Sequence, residues 1–529
     1  MVLTLHKYIF RELLKVFVPT VVALTLILSL GSILRPMQEY GVGPRQAVHL
    51  MGYFLPITLT FVLPIAALFA GALVYGRFAG DNELDACKAS GVSFIRLAYP
   101  GLALALLVAG ANLILSFHVT PIFVHLAEKS LKADAKQILF RNIQRRGYYE
   151  LDRYKIYADY ADRAKDVLAG VVVVEVKSRQ IRETVVVDTA KVMFIRRGDS
   201  YEVRIVAHHP YRFGLADEEV GSAEWLPFTW EMGSLLADDI KFKRVDQMRE
   251  IRVDPMQFGP VEKLARQTCA QFVTELLAQD IKRTIRNSPP EAGLYELLGE
   301  PNSVRFTTGQ CTARETEVEL SGGVTVSEYD ADNGQLLRTL QAEKASLYIE
   351  GDELAPTLTM NILSAREMGS GQLRMRHVIR GLVPSKAVTD TFKSGNILAD
   401  LHPQVLSSSL KDGPSLHLSN FAGELQRRIR KTLVEIGAEI RSRLAFGIGC
   451  VPMIMIGIGL GVIKRGGHML SAFAASCVPA AVLIVCIISG KHITENLGSQ
   501  AISGILLTWG GLAVLTMMMV VMYRRLLRH

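Results

Sequence analysis

Long apolar runs occupy both ends of the chain. Six stretches contain no Asp, Glu, Lys or Arg, and each is at least 19 residues long: 16–34, 46–76, 97–127, 444–463, 466–490 and 496–523. A bilayer span needs about 20 apolar residues, and a helix satisfies its own backbone hydrogen bonds in lipid. The pattern therefore predicts six transmembrane helices in two groups of three.

The residues between the two groups, 128–443, are far more polar and long enough for one or two soluble domains. The run "GVVVVEV" at 170–176 is β-branched, and "YEVRIV" at 201–206 alternates apolar with charged positions, as strands do. Helical spacing follows at 259–286, and strand patterns resume at 303–385 after the turn-forming "NSPPEAG". We therefore expect a β-rich region interrupted by a helix.

The two strand-rich parts share a weak internal register. Lys191 lies twenty residues after Val171 in the first part, and Lys344 lies twenty residues after Val324 in the second, at a constant offset of 153. Such a register favours two related β-units, although so few identities also arise by chance. Open antiparallel units with an apolar groove suit long acyl chains, whereas ordinary sandwiches with filled cores give the same periodicity.

Five segments are expected along the chain. They are transmembrane helices 1–3 at 1–127, a β-domain at 128–258, a helical linker at 259–299, a second β-unit at 300–420 and transmembrane helices 4–6 at 421–529. The predicted fold is thus a membrane α-helical protein, arranged 3+3, with a large external all-β region of two units.

Lys and Arg are unevenly distributed over the short loops. Because positive residues remain in the cytoplasm, the richer set of flanks places both termini and the loop after the second span there, and 128–443 outside. The richer set has eleven residues, Lys7, Arg11, Lys15, Arg77, Lys88, Arg96, Lys464, Arg465, Arg524, Arg525 and Arg528, and the poorer set has Arg35, Arg45 and Lys491. The net charge of +8 partly reflects this bias and gives no reason to expect nucleic acid.

No motif for catalysis or metal binding occurs. The six cysteines show no CxxC or zinc-like spacing, so no metal or cofactor is predicted. Cys269 and Cys311 fall in the external region, where a disulfide is possible. The chain also lacks GxxxxGK[ST], a nucleophile elbow and HExxH. We therefore expect no enzyme activity, and any energy source must be a partner on the cytoplasmic side.

A short charged segment separates the second and third apolar runs, "YGRFAGDNELDACKASGVSFIRLAYP" at 75–100. It resembles the permease subunits of the lipopolysaccharide-export ABC transporter, the LptF/LptG family. In that family a glycine–arginine pair ends the second span, a short helix with an acid follows, and "ASG" leads to the third. The resemblance covers roughly 1–285 and 425–529, and the excess length falls mainly at 287–420.

The resemblance implies a multi-pass, non-catalytic permease of the bacterial inner membrane with a periplasmic β-jellyroll or β-taco-like region. Its partners would be a cytoplasmic ABC ATPase, a second permease subunit (a paralogue or a second copy), periplasmic bridge proteins and a glycolipid substrate. The second β-unit resembles the modules of the bridge and would be an insertion. The alternative is a membrane-tethered periplasmic sensor or assembly scaffold with no transport role.

The acid that matches Glu83 lies in the family on a coupling helix, near 82–90 here, and faces a basic residue of the ATPase. Asp81 and Arg77 flank it and are expected at the same contact. The residues also permit a plainer interpretation, in which Asp81 is the N-cap, Gly91 follows the helix end and the acids merely favour a helix start.

Basic residues at the outer ends of the spans are candidates for lipid head groups. Arg35 falls where the family contacts lipid A phosphates, and a snorkelling interfacial arginine is the alternative. Lys129, Lys132 and Lys136 have the spacing of one helical face beyond the third span and would meet sugar phosphates, unless they form an ordinary solvated face. Arg441 and Arg443, before the fourth span, are expected to be interfacial anchors rather than ligand contacts.

Overall fold

A computed structural model of the protein divides into two compact units, 1–248 with 434–529, and 249–433. The described residues exclude 1, 40–43, 134, 152–153, 164, 178–179, 198–199, 215–220, 223–224, 233–237, 288–293, 301, 315–316, 331–333, 353–354, 369–370, 386–387, 389–396, 411–412, 464–468, 497–500 and 529.

Among the described residues, six helices are long and apolar enough to cross a membrane, so the predicted 3+3 arrangement is confirmed. The helices that contain them are α1 (Val2–Glu39), α2 (Pro44–Gly80), α4 (Phe94–Ile114) continued by α5 (Thr120–Ala133), α11 (Leu416–Ile463), α12 (Met469–Asn496) and α13 (Ala501–Arg528). Their buried side chains form one apolar core that all six helices share.

Shorter helices complete the chain. A π-helical segment, Leu115–Val119, joins α4 to α5. The others are α3 (Glu83–Ala89), α6 (Ala135–Arg146), α7 (Val245–Val253), α8 (Gly259–Asn287), α9 (Ile397–Asp400) and α10 (Pro403–Ser409).

Helices α2 and α11 approach each other closely at small residues. A Cβ atom built on Gly461 would lie 2.5 Å from the carbonyl oxygen of Ala72, and one on Gly457 would lie 3.0 Å from that of Leu68. Spacing of this small-xxx-small kind lets membrane helices gain van der Waals contact that the lipid cannot supply. The contact ties the first group of spans to the second.

The first sheet is an antiparallel meander of β1 to β5, with β6 and β7 both paired to β5. Its strands are β1 (Tyr148–Leu151), β2 (Tyr154–Asp162), β3 (Val167–Lys177), β4 (Gln180–Arg197), β5 (Ser200–Gly214), β6 (Gly221–Ser222) and β7 (Trp225–Met232). Alternate side chains of β3 and β4 are buried on one face of the sheet, and α6 packs on that face. The opposite face carries an apolar row, Tyr157, Val172 and Val186, which are direct cross-strand partners and are only half-buried or exposed.

The second sheet closes on itself. Its strands are β8 (Tyr295–Gly299), β9 (Asn302–Thr307), β10 (Gln310–Arg314), β11 (Glu317–Asp330), β12 (Leu336–Asp352), β13 (Ala355–Glu367) and β14 (Leu373–Val383). Because β9 pairs with β11, six strands form a ring, and β10 pairs with β11 outside it. Side chains such as Phe306, Leu347 and Met360 fill the interior.

Two expected boundaries differ from the structure. The segment 259–299 is not a linker, because Leu277 and Ile281 of α8 lie in the core of the second sheet. The end of the expected first β-domain is helical instead, with a 3₁₀ turn at Ile240–Phe242 and then α7. The closed ring and its buried interior favour the filled-core alternative for the second unit.

Cys269 and Cys311 do not form a disulfide, and both side chains are buried. Burial raises the pKa of the Cys311 thiol to about 11, so little of the reactive thiolate forms at neutral pH. In the native protein at pH 8, we expect maleimide to label Cys311 at least about a hundredfold more slowly than in urea. Mass spectrometry of tryptic peptides measures this, and equal rates would contradict the buried position.

The close approach of α2 and α11 predicts a position-specific sensitivity to side-chain size. Gly461→Leu should force the helices apart and destabilise the protein by about 1–3 kcal/mol or more. Gly110→Leu on α4 is the matched control, because a Cβ there meets nothing within 4 Å. Thermal unfolding in detergent measures both variants, and equal melting temperatures would contradict the contact.

Candidate functional site

Helix α3 is a short amphipathic helix between the second and third spans. Leu84 is buried in the membrane core, while Asp81, Asn82 and Glu83 are exposed. The N-cap is Asn82, which has a left-handed backbone with φ 59° and makes no side-chain cap bond, so the expectation of Asp81 as N-cap is wrong. Asn tolerates this conformation better than most residues. The arrangement anchors the helix and leaves the Glu83 carboxylate facing outward.

Arg77, expected beside Glu83, has a partner inside the protein. Its guanidinium donates to Glu12 Oε2 of α1 at 2.9 Å and lies over the ring of Phe78. Lys15 also pairs with Glu12. Arg77 therefore holds α1 to α2 directly before α3 and supports the helix, and Glu83 and Asp81 remain the exposed acids.

The expected lysine face is divided between two helices. Lys129 is exposed on α5, whereas Lys132 on the same helix pairs with Glu128 at 2.9 Å. Lys136 belongs to α6 and pairs with Asp166 on the first β-unit. The three do not form the common free face that the spacing predicted, because α5 ends at Ala133. The side chain of Arg35 lies outside the described residues.

A cavity of about 330 Å³ lies among α2, the end of α4, α5, α11, α12 and the 240–243 turn. Its walls are mainly apolar, with Phe61, Phe446 and Ile487 among them, and polar groups converge at one part. Concave apolar sites with a few placed polar groups are typical of ligand pockets. The sequence showed no sign of this cavity, because its walls come from separate parts of the chain.

Glu439 is the centre of a buried ion-pair network at this cavity. Its carboxylate accepts a hydrogen bond from Arg443 Nε at 2.8 Å and one from Lys491 Nζ of α12. Arg443 also donates to the backbone carbonyls of Lys241 at 2.7 Å and Lys243 at 3.3 Å, at the end of the first β-unit. The Arg443 side chain is only 5% exposed, so it is buried rather than at the water interface.

Two polar side chains in the cavity wall have atoms without a hydrogen-bond partner among the described residues. Asn112, 1% exposed, donates to the Thr60 carbonyl at 2.5 Å, but its Oδ1 has no donor. Thr120 Oγ1 is likewise buried and unpaired. The π-helical segment lies between them, and π-helical turns are frequent at functional sites. These groups can hold water or a polar part of a ligand in an otherwise apolar cavity.

The ion-pair network predicts that replacement of Arg by Gln lowers stability by different amounts at two positions of α11. Arg443→Gln leaves Glu439 with less compensation in a buried site and should cost about 3–5 kcal/mol. Arg441→Gln, half-buried on the same helix, is the control and should cost less. Thermal unfolding in detergent separates them, and a smaller loss for Arg443→Gln would contradict the described network.

The sequence model of the lipopolysaccharide export system permease LptF/LptG family matches residues 7–206 and 279–525. The match includes 300–420 and leaves out 207–278. The longest stretch without a family counterpart is therefore 207–278, not the expected 287–420. No curated protein matches the chain. The match covers most of the chain and agrees with the six apolar helices of an inner-membrane protein. This protein belongs to the lipopolysaccharide export system permease LptF/LptG family.

Proposed function

We propose that this permease is the membrane subunit of an ABC transporter that extracts lipopolysaccharide or a related glycolipid from the inner membrane. It delivers the lipid to a periplasmic β-bridge that leads toward the outer membrane. Both termini and α3 are cytoplasmic, and 128–443 are periplasmic. The family's role in lipopolysaccharide export supports this proposal, and so does the bias of Lys and Arg over the short loops.

The observation that carries the proposal is the exposed acid on an anchored helix. Glu83 begins α3, which Leu84 fixes to the membrane core. The chain has no phosphate-binding loop, so ATP hydrolysis comes from a separate subunit that docks here. An arginine of that ATPase would pair with Glu83 bidentately, and rigid packing would then pass its motion to the spans.

A route for this motion runs through contacts within the first unit. Helix α3 follows α2 directly, and α2 packs closely on α11 at Gly461. On α11, Arg443 pairs with Glu439 and donates to the carbonyls of Lys241 and Lys243, which follow the first sheet in sequence. Movement of the spans would therefore move the end of the first β-unit.

The glycolipid would contact charged side chains first and an apolar surface second. Two permease subunits, paralogues or copies, enclose the substrate, and Arg35 and Lys129 orient its phosphates. Its acyl chains then meet the apolar row Tyr157, Val172 and Val186 on the first sheet. Burial of this surface by hydrocarbon contributes about 25 cal/mol per Å². The second sheet is closed and its interior is filled by side chains, so it is less suited than the first sheet to carry acyl chains.

Docking of an ATPase through Glu83 is testable by charge reversal. Glu83→Arg should abolish co-purification of an ABC ATPase with the full-length chain, because two cations then face each other. Glu83→Asp keeps the charge and should retain most of the association. Native purification from membranes followed by mass spectrometry measures the bound ATPase.

Membrane insertion serves as the internal control and must be equal in all variants. If no ATPase co-purifies with the native chain, and Glu83→Arg supports envelope growth, the transporter proposal fails. The membrane-tethered sensor or scaffold then becomes the better account.

A further inference from the structure

A second concave site lies in the unit 249–433. It is a groove of about 400 Å³ between α8 and the first part of α11. Four cationic side chains line it together with a single carboxylate. The cations are Lys263 of α8 and Arg427, Arg428 and Lys431 of α11, and the acid is Glu424.

The local fold fixes the two sides of this basic groove. Ser415 caps the start of α11, since its hydroxyl accepts from the Leu418 N–H at 3.1 Å. The same residue donates from its backbone N–H to Glu275 of α8 at 3.0 Å, and its hydroxyl also bonds that carboxylate. The guanidinium of Arg428 lies 5.7 Å from the centre of the Phe258 ring, just before α8. Both helices are therefore held in place while cations face the space between them.

The charges of the groove are not balanced by its own walls. Arg427 and Lys431 are like charges one turn apart on α11, an unfavourable arrangement on a helix, and Arg427 Nε donates to the Gly423 carbonyl at 3.3 Å. Lys263 and Lys431 have contacts of their own, so the inference rests on Arg428 and on the excess of positive charge. Arg428 Nε is buried and has no acceptor among the described residues. A buried donor of this kind is costly unless a ligand or water accepts from it.

We propose that the basic groove binds a phosphate or carboxylate group on the saccharide head of the transported glycolipid. The proposal rests on the proposed function, which gives the chain its glycolipid and places 249–433 on the periplasmic side. Guanidinium groups match such anions bidentately, and the volume of the groove is within the usual range of small-molecule sites. Because side chains fill the interior of the second sheet, we expect this unit to contact the head group rather than the acyl chains.

A binding measurement on the full-length chain in nanodiscs tests the proposal. The probe is the phosphorylated core oligosaccharide released from lipopolysaccharide, compared with its enzymatically dephosphorylated form and with inorganic phosphate. We expect the phosphorylated form to bind at least about tenfold more tightly than the other two. Affinity should fall as salt rises, because the contact is ionic.

Two variants locate the binding. Arg427→Gln with Arg428→Gln should weaken binding of the phosphorylated probe by about tenfold or more. Because loss of Arg428 also removes its contact with Phe258, Lys263→Gln with Arg427→Gln is a second variant that uses only exposed positions. The matched control is Arg266→Gln, whose native side chain is exposed on α8 and paired with Glu262, and it should bind as the native protein does.

Several results would overturn the proposal. Equal affinity for phosphorylated and dephosphorylated probes, or unchanged binding in both double variants, removes the groove as an anion site. Equal affinity for inorganic phosphate makes it a free-anion site, and capture of an acidic protein without oligosaccharide binding makes it a protein contact. The assay contains neither ATP nor ATPase. Failure of the native chain to bind the phosphorylated probe, with intact ATPase association, therefore overturns this inference alone, whereas failure of the native chain to bind an ATPase, with intact probe binding, overturns the transporter proposal.

Discussion

The carboxylate of Glu439 is buried between two cations, and this ion-pair network connects the membrane helices with the end of the first β-unit. Lys491 reaches it from α12, and Arg443 extends it to backbone carbonyls near residue 242. Desolvation makes each of these charges expensive by itself, so removal of one partner costs far more than the pair contributes. The network therefore specifies one arrangement of α11, α12 and the 240–243 turn, and the cavity lined by Glu439 and Arg443 is built around that arrangement.

Close packing of helix backbones also holds the membrane helices in a fixed arrangement. Gly461 lets α11 lie against α2, and α2 continues almost directly into α3 through Arg77, which is itself paired with Glu12. A movement of α3 would therefore pass through these close contacts to the opposite end of the membrane helices. This geometry suits a protein whose sequence has no phosphate-binding loop and which, as we propose, takes its energy from a docked partner.

The sequence predicted the parts of the fold that local physics determines. Charge-free runs identified the six spans because lipid requires helices of that length, and the charged segment at 75–100 pointed to α3. Features that depend on distant residues were missed. Glu439 and Arg443 are one turn apart and visible as a pair, but Lys491 and the carbonyl of Lys241 lie far away in sequence. Ring closure through β9 and β11 is equally non-local, and the lysine face failed because its spacing assumed one continuous helix.

We propose that motion produced at α3 reaches the first sheet through Arg443. The most direct test of this proposal is a photo-crosslinking amino acid at Tyr157, in proteoliposomes that contain lipopolysaccharide, the partner permease and the ATPase. ATP should produce a lipopolysaccharide adduct at this position in the native protein and in Arg441→Gln, and Arg443→Gln should lose it. Adduct formation that is independent of ATP, or equal in all three proteins, would contradict the account.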